Sequence, residues 1–491
     1  MDQPQSRKIA SRHLTVSGQT AREQAVYGFI KRLIGFSVGP VGGALIAFIT
    51  IPLTTHFIVP GEFGKAGMFS LIQMLFVTFL YLGVDQAYTR EYHETSDRLR
   101  LFQNALLVPL LFSVVLFALF CLNMNFIARL VFGSPQYHLA VLLMAVMLLS
   151  MIVERFILLS IRMEEKAFAY SIFSILIKLV ILAATLIFVL FIRRDFLAVV
   201  YATAIGQMTG DLYLMIRYRR LLNFRGFHFN RLLIKRLLTF GLPLVVAASA
   251  ATFLNSAGQL SLRLWSSFYE LGIFTATLKI ASVLSVIQSS FTNFWVPTAY
   301  RWHSEGKPMR YFQEVSEGIL VVMTVLFFLV LITKPMIVYL LSPAYGSTIY
   351  SVGLLCLQPV MYTISETTTL GIVFSRKSYL NIWVSVIALI PSLVLNAWLV
   401  PTLGAIGAAG ATGVAYLFFF VGRSFFSTRN WEGFSLTRHY LIMVLFFAAA
   451  CINALPVPFI LLINLGMLCL TLMIQTPAMK RLVLQIGWKK Q

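Results

Sequence analysis

Apolar residues occur in uninterrupted blocks along nearly the whole chain, and this pattern limits the folds that the sequence can adopt. The blocks are roughly 18 to 25 residues long, the length that an α-helix needs to cross about 30 Å of hydrocarbon. Only 12% of the 491 residues are charged, about half the fraction found in soluble proteins. Because the blocks are much longer than the ~10-residue strands of membrane β-barrels, the sequence predicts an all-α polytopic membrane protein and excludes an ordinary soluble enzyme.

The apolar blocks predict about fourteen transmembrane helices. They lie near residues 34–57, 66–89, 104–122, 137–160, 168–192, 196–216, 237–260, 273–297, 315–333, 348–373, 379–400, 404–425, 439–455 and 457–475. The distribution of charge predicts how these helices are oriented. Lys and Arg number 39 against 18 Asp and Glu. With a cytoplasmic N-terminus, 31 basic residues fall on cytoplasmic segments and six on the opposite side, while Lys178 and Lys279 lie inside spans.

Such a bias predicts that both termini are cytoplasmic. Because the basic residues are spread over every cytoplasmic loop, they do not form a patch for nucleic acid. The densest run, from Arg217 to Arg236, contains no acid and is expected to contact anionic lipid headgroups.

The N-terminal segment and the cysteines exclude several other classes. Residues 1–33 are polar and basic, without an apolar core and cleavage site, which favours a cytoplasmic tail over a secretory signal. An organelle transit peptide has a similar composition and stays open as an alternative. The four cysteines form no metal-binding or disulfide pattern, and nucleotide-binding and hydrolase motifs are absent. The sequence therefore predicts no cofactor, no metal and no catalytic residue.

Two landmarks recur in the two halves of the chain. Lys31-Arg32-Leu33 opens the first span and Lys235-Arg236-Leu237 the seventh, 204 residues later. Glu62-Phe63-Gly64 and Glu270-Leu271-Gly272 follow those spans, 208 residues apart. Six helices per half, both beginning on the same side, predict parallel repeats related by an axis along the membrane normal. The predicted organisation is a tail at 1–33, a first lobe at 34–217, a basic linker at 218–236, a second lobe at 237–426, and a C-terminal helix pair with a basic tail at 427–491.

Three segments resemble one transporter family. They are Pro52-Leu53-Thr54-Thr55 with Pro60-Gly61-Glu62-Phe63-Gly64, then Leu82-Gly83-Val84-Asp85 through Arg90-Glu91-Tyr92, and Leu395-Asn396 through Pro401-Thr402-Leu403-Gly404-Ala405-Ile406-Gly407-Ala408-Ala409. The chain resembles the Wzx-like polysaccharide exporters and flippases of the multidrug/oligosaccharidyl-lipid/polysaccharide superfamily.

That resemblance implies a flippase of the bacterial inner membrane that moves undecaprenyl-pyrophosphate-linked oligosaccharide to the outer leaflet for O-antigen, capsule or exopolysaccharide synthesis. It implies transport by alternating access between two lobes. The expected partners are the lipid-linked substrate, membrane lipids, and the polymerase and chain-length machinery of polysaccharide synthesis.

Polar residues at helical spacing mark candidate cavity walls within the spans. The rows are Ser249, Thr252, Ser256, Gln259 and Arg263 in the seventh span, Thr275, Lys279, Ser282, Ser289 and Asn293 in the eighth, and Ser171, Ser174, Lys178 and Thr185 in the fifth. Such rows also hold helices together in any membrane bundle, and this alternative stays open.

Cations in a wet cavity can replace part of the hydration of a pyrophosphate. Lys279 and Arg263 are therefore the first candidate headgroup contacts and Lys178 the third, although Arg263 could equally reach the outer lipid interface. The candidates for sugar contacts are the uncharged Gln259, Ser256, Ser282 and Asn293.

Acidic residues in or near the spans form a second candidate set together with one arginine: Asp85, Arg90, Glu154, Asp211 and Glu366. Contacts such as Asp85 with Arg90, and Glu154 with Arg155 or with another helix, could close a cytoplasmic gate. Coupling to protons or sodium is the alternative, because a buried carboxylate can serve either purpose.

Two other functions compete with flipping. A cation-coupled multidrug exporter of the same architecture should have an acidic cavity, whereas the seventh and eighth spans carry cations. A glycan polymerase or membrane glycosyltransferase should carry acidic or arginine clusters in a large outer loop, and no loop is long enough to hold one.

Overall fold

The computed structural model describes residues 42–43, 45–164 and 166–488, with the side chains of all of these except residue 167 and residues 478–488. Every element in these ranges is a helix or a turn, so the all-α class is confirmed. The predicted tail at 1–33, and residues 34–41 of the first predicted span, lie outside the described residues. Residues 218–230 form the linker between the two halves, on one surface of the membrane. This surface is called the linker side, and the opposite surface is called the far side.

The described residues of the first half form eight helices. They are α1 (Leu45–Thr55), α2 (Pro60–Leu80), α3 (Val84–Glu91), α4 (Arg98–Leu122), α5 (Met124–Phe132), α6 (His138–Met163), α7 (Ala167–Ile187, continued as a π-helix over Phe188–Ile192) and α8 (Phe196–Arg217). A 3₁₀ turn at Pro135–Tyr137 precedes α6. Because consecutive spans alternate in direction, α2 starts on the far side and α8 ends on the linker side.

The second half adds eight more helices. They are α9 (Arg231–Trp265), α10 (Phe268–Ser304), α11 (Met309–Tyr339), α12 (Thr348–Thr368), α13 (Leu370–Phe374), α14 (Leu380–Thr428), α15 (Thr437–Asn453) and α16 (Ile460–Trp488). A 3₁₀ turn at Pro343–Tyr345 precedes α12. Among the described helices, ten segments are long and apolar enough to cross a membrane, and α1 and α15 are shorter apolar helices.

One predicted span is divided in the structure, and the boundary between two others lies where it was predicted. The second predicted span comprises α2 and α3, which are separated at Leu82 and Gly83, both with positive φ. The eleventh and twelfth predicted spans are the two halves of α14, and the chain reverses between them at Gly404 (φ 53°, ψ −127°), where their boundary was predicted. A side chain at Gly404 would overlap the carboxylate of Glu270, so this sharp reversal requires glycine. The first half of α14 stays helical through Pro401, and the chain turns at the single residue Gly404.

The two halves meet at the far side in a close crossing of α2 and α10. A Cβ atom at Gly64 would overlap the carbonyl oxygen of Phe268, and one at Gly272 would overlap the carbonyl oxygen of Pro60. Each pair, Pro60 with Phe268 and Gly64 with Gly272, is separated by 208 residues. Equivalent residues therefore contact each other's helices, which places the repeat axis between α2 and α10. The two lobes of parallel repeats predicted from the sequence are confirmed by this geometry.

The C-terminal helices α15 and α16 pack against α11 and α12 of the second lobe. Lys334 of α11 is 4% exposed, and its ammonium donates to the carbonyl of Asn453 at 3.0 Å. This carbonyl belongs to the last turn of α15, where a cation is favoured by the helix dipole. The side chains of Asn453 and Asn464 exchange hydrogen bonds at 2.7 and 3.1 Å. Polar contacts thus fasten the helix pair to the second lobe.

Candidate functional site

Lys279 of α10 lies at the boundary between the two lobes. Its ammonium is 4.7 Å from the centre of the Phe63 ring of α2. The side chain is exposed although protein atoms surround it densely, which is characteristic of a group that lines an internal crevice. The second lobe therefore presents a cation to the first lobe inside the span, stabilised in part by the face of an aromatic ring.

Lys178 of α7 is the second cation at this boundary. It acts electrostatically on Lys279 and on Glu154 of α6, and its Cγ lies 3.8 Å from the position of a Cβ at Gly43. In the part of the chain that the structure describes, neither lysine forms an ion pair. The structure thus brings together two of the three predicted cations, and leaves both ammonium groups available to an anion.

The polar row of α10 has an exposed stretch next to Lys279. Ser282, Ser289 and Asn293 are exposed, and the two serine hydroxyls donate to carbonyls of their own helix at 2.6 and 3.0 Å. Thr275, at the start of the row, is instead buried against Gly67 of α2. Uncharged polar groups therefore continue from Lys279 along α10 towards the linker side.

The polar row of α9 is used for packing between helices. Thr252 hydrogen-bonds Thr78 of α2 at 3.1 Å, and Gln259 donates to Thr275 of α10 at 3.3 Å. Ser256 is completely buried, and its hydroxyl has no hydrogen-bond partner among the described atoms. The structure supports the helix-packing interpretation of this row, so Gln259 and Ser256 lie away from any exposed crevice wall.

Arg263 is separated from the two lysines. Its guanidinium donates to the carbonyls of Arg129 at 2.8 Å and Val131 at 3.3 Å, and it lies 4.7 Å from the centre of the Phe268 ring. These carbonyls are in the last turns of α5 in the first lobe. Arg263 therefore joins the lobes at the far side, in place of the predicted contact with a headgroup.

The acids of the first lobe form one polar network between α6 and α8. The side-chain amide of Gln207 donates to Glu154 at 2.8 Å and to Asp211 at 2.8 Å. Ser150 donates to the other oxygen of Asp211 at 2.5 Å. Two carboxylates thus share one neutral donor, and Glu154 contacts another helix instead of Arg155, the second of the two arrangements expected from the sequence.

Asp85 and Arg90 have different partners from those predicted. Asp85 is buried and pairs with Arg155 of α6 at 2.7 Å, within the first lobe. Arg90 stacks on Phe240 of α9 at 4.7 Å, and the next residue, Glu91, pairs with Arg236 of α9 at 3.2 Å. On the linker side, therefore, Arg90 and Glu91 rather than Asp85 connect the two lobes. A gate on this side would use α3 and α9.

Glu366 belongs to a buried ion pair of the second lobe. It lies 2.7 Å from Arg423 of α14, and the two side chains are 5% and 10% exposed. The guanidinium lies beside the stacked rings of Tyr362 and Phe419, 4.8 and 5.0 Å from their centres. This enclosed pair holds α12 against α14, and it makes no contact with the two cavity lysines.

Sequence reasoning missed one polar cluster in the second lobe. The side-chain oxygen of Asn255 in α9 accepts hydrogen bonds from Gln358 of α12 at 3.0 Å and from Tyr416 of α14. Asn255 itself is exposed. These three residues lie on three different helices, so no spacing along one helix could have revealed the cluster.

Comparisons with known proteins are consistent with this architecture. A family profile described as polysaccharide biosynthesis protein matches residues 31–303, whereas no curated protein matches the sequence. A solved structure of the lipid II flippase MurJ in an inward closed conformation has a TM-score of 0.64 and 13% identity, covering 92% of this chain and 100% of its own.

Two further solved structures share the arrangement of helices. An inward-facing multidrug resistance MATE family transporter of the MOP superfamily has a TM-score of 0.58 and 14% identity, over 83% of this chain and 95% of its own. The third structure is a MOP superfamily transporter from Pyrococcus furiosus Vc1 (DSM3638), described as having a binding pocket of reverse polarity. It has a TM-score of 0.51 and 13% identity, covering 86% of this chain and 96% of its own. At sequence identities this low, the similarity to these three structures establishes a shared fold.

Proposed function

The chain belongs to the polysaccharide biosynthesis protein family and has the fold of MOP superfamily transporters, and we propose that it is a flippase for undecaprenyl-pyrophosphate-linked oligosaccharide. The observation that carries the proposal is the pair Lys178 and Lys279, two exposed cations on different lobes that interact electrostatically and form no ion pair within the described structure. The flippase operates in the bacterial inner membrane, with both termini in the cytoplasm and the linker side facing it.

A pyrophosphate is the substrate group that best matches two neighbouring ammonium groups. Their mutual repulsion is relieved when an anion binds between them, and the hydrogen bonds that form are charge-assisted. A diphosphate brings several acceptor oxygens to this point, so each ammonium can donate to the same headgroup. The site thus replaces part of the hydration that the headgroup loses inside the membrane.

Uncharged polar groups near the lysines are suited to the glycan. Ser282 and Asn293 are exposed on the same helix as Lys279, and Asn255 adds an exposed amide on α9. Hydroxyls and amides can bind many different sugars because they both donate and accept hydrogen bonds. The prenyl chain stays in the lipid, and the polymerase and chain-length machinery receive the product on the far side.

Transport follows an alternating-access cycle between states that open to either side. The crossing of α2 and α10 closes the far side, together with the contact of Arg263 with α5. The contacts of α3 with α9 close part of the linker side. In our proposal the lobes rock about the repeat axis, and these two sets of contacts form and break in turn.

The pair Glu154 and Asp211 supports a cation-coupled step. Two carboxylates that share the amide of Gln207 repel each other, and a bound proton or monovalent cation relieves this repulsion. The same pair is the one observation that favours the alternative function, a cation-coupled multidrug exporter. The two lysines argue against cationic drugs as the substrate, because they would repel them.

A deletion strain provides the test in cells. We expect lipid-linked oligosaccharide to accumulate on the cytoplasmic leaflet and surface polysaccharide to disappear, with both restored by the intact gene. Lys178→Ala and Lys279→Ala should fail to restore transport, whereas the matched control Lys307→Ala, which changes an exposed lysine paired with Glu305, should restore it. Normal surface polysaccharide in the deletion strain would refute the flippase. Full rescue by both cavity variants would refute the assigned site.

A further inference from the structure

A groove opens between α7 and α8 on the surface of the first lobe, away from the two cavity lysines. Its volume is about 580 Å³, and its lining includes Ile172, Leu176 and Tyr213. These three side chains are 38%, 53% and 58% exposed, so the groove is apolar and open to the membrane. The Phe173 and Tyr213 rings stack at 6.3 Å and form part of its wall.

The groove is one leaflet deep. It runs along α8 from Arg217 at the linker side to Gly206, a distance of eleven residues or about 16 Å of helix. At its upper end a Cβ atom at Gly206 would overlap Ile181, so α7 and α8 touch there and the groove closes. Since the hydrocarbon core is about 30 Å thick, the groove matches the length of an acyl chain within one leaflet.

The mouth of the groove is cationic. Arg217 lines it and is exposed, and in the described part of the chain its guanidinium is not paired with a carboxylate. Lys166 lies close enough to Arg217 to act on it electrostatically, and its hydrogen bond with Glu164 raises the pKa of the lysine above its ordinary value. Arg219 and Arg220 follow in the chain. An apolar groove that ends in cations is complementary to an anionic lipid.

We propose that the groove between α7 and α8, with Arg217 at its mouth, holds one anionic phospholipid of the leaflet on the linker side. The phosphate lies against Arg217, and an acyl chain fills the space between Ile172 and Tyr213. The depth of one leaflet favours a phospholipid over a polyprenyl chain, which would extend beyond the closed end at Gly206.

Native mass spectrometry of the full-length protein tests this proposal, with phosphatidylglycerol, phosphatidylethanolamine and undecaprenyl phosphate added in turn. The site variants are Arg217→Gln, which removes the cation, and Ala169→Trp, which fills the groove at another lining residue. The matched control is Arg220→Gln, which removes an exposed arginine outside the lining. Melting temperatures without added lipid identify any variant that fails to fold.

We expect the intact protein to retain one phosphatidylglycerol and to bind phosphatidylethanolamine about tenfold more weakly, or about 1.4 kcal/mol. Both lipids carry the phosphate, but the cations at the mouth repel the ammonium of phosphatidylethanolamine. Both site variants should lose this preference, and the control should keep it. Equal loss in Arg220→Gln would show diffuse surface charge and overturn the site. Retention by both site variants, or preferential binding of undecaprenyl phosphate, would also overturn it.

Discussion

Glu62 and Glu270, 208 residues apart in the chain, make the same hydrogen bond in the two lobes. Glu62 accepts from the backbone N–H of Phe196 at 3.1 Å, and Glu270 accepts from the backbone N–H of Ala405 at 2.8 Å. Glu62 and Glu270 each lie in the first turn of a helix. Each accepts from the first N–H of the last helical segment of its own lobe, a group that has no partner within that helix. The internal repeat therefore extends from the helix order to an individual side-chain contact.

Removing either glutamate should destabilise the protein to a similar degree. We expect Glu62→Ala and Glu270→Ala each to lower the free energy of unfolding by about 1–2 kcal/mol, the typical cost of a lost helix cap. Thermal melting of the purified protein measures the effect, and Glu305→Ala is the control because Glu305 is exposed on the linker side. Melting temperatures equal to that of the control would contradict the role of these caps.

The crossing of α2 and α10 should not tolerate a single methyl group. In Gly272→Ala the new Cβ would overlap the carbonyl of Pro60, and backbone atoms cannot give way as a flexible side chain can. We expect a lower melting temperature and a smaller population of the state that is closed on the far side, measured by crosslinking across the lobes. Gly410→Ala is the matched control, because no atom lies within 4 Å of its added Cβ. Identical behaviour of the two variants would refute the close crossing.

Lys279 and Arg263 should differ in their effect on the substrate. We expect Lys279→Gln to weaken binding of the lipid-linked oligosaccharide by about 10- to 100-fold, because a charge-assisted hydrogen bond contributes roughly 1.5–3 kcal/mol. Arg263→Gln should leave affinity within about threefold and alter the transport rate, since its guanidinium contacts the backbone of α5. Binding to protein in detergent and flipping in proteoliposomes separate the two effects. A greater loss of affinity in Arg263→Gln would reverse the assignment.

Replacing one member of the buried pair Glu366 and Arg423 should destabilise the protein more than replacing both. Glu366→Gln or Arg423→Met leaves one buried charge without its partner, at a cost of about 3–5 kcal/mol. The double variant removes both charges and should recover a large part of the lost stability. Unfolding measured for the four proteins gives the interaction energy directly. Additive losses would show that the two groups do not interact.

Glu154 and Asp211 should govern dependence on an ion gradient. We expect Glu154→Gln and Asp211→Asn to make flipping in proteoliposomes insensitive to an imposed proton or sodium gradient, because the shared repulsion between the two carboxylates is gone. Glu164→Gln is the control, since Glu164 lies beyond the end of α6 and pairs with Lys166. A gradient response that persists in both site variants would restrict the pair to a structural role.

The sequence by itself determined the membrane class, the order of the spans and the repeat, because apolar blocks of membrane length and matching motifs are properties of the chain alone. It also singled out Lys178 and Lys279, since a cation inside an apolar block has no local explanation. The break of the second predicted span at Leu82 and Gly83 was missed, because leucine and glycine do not interrupt the apolar pattern.

The tertiary structure alone decided which polar residues face a crevice and which hold helices together. Along α9 and α10 the spacing is the same, yet Thr252 bonds a residue of α2 while Ser282 is exposed. It also decided that Asp85 pairs with Arg155 instead of Arg90. The periodicity of a helix defines which residues share a face. The partner of each face depends on how helices that are distant in the chain cross one another. Those crossings are set by the packing of the two lobes.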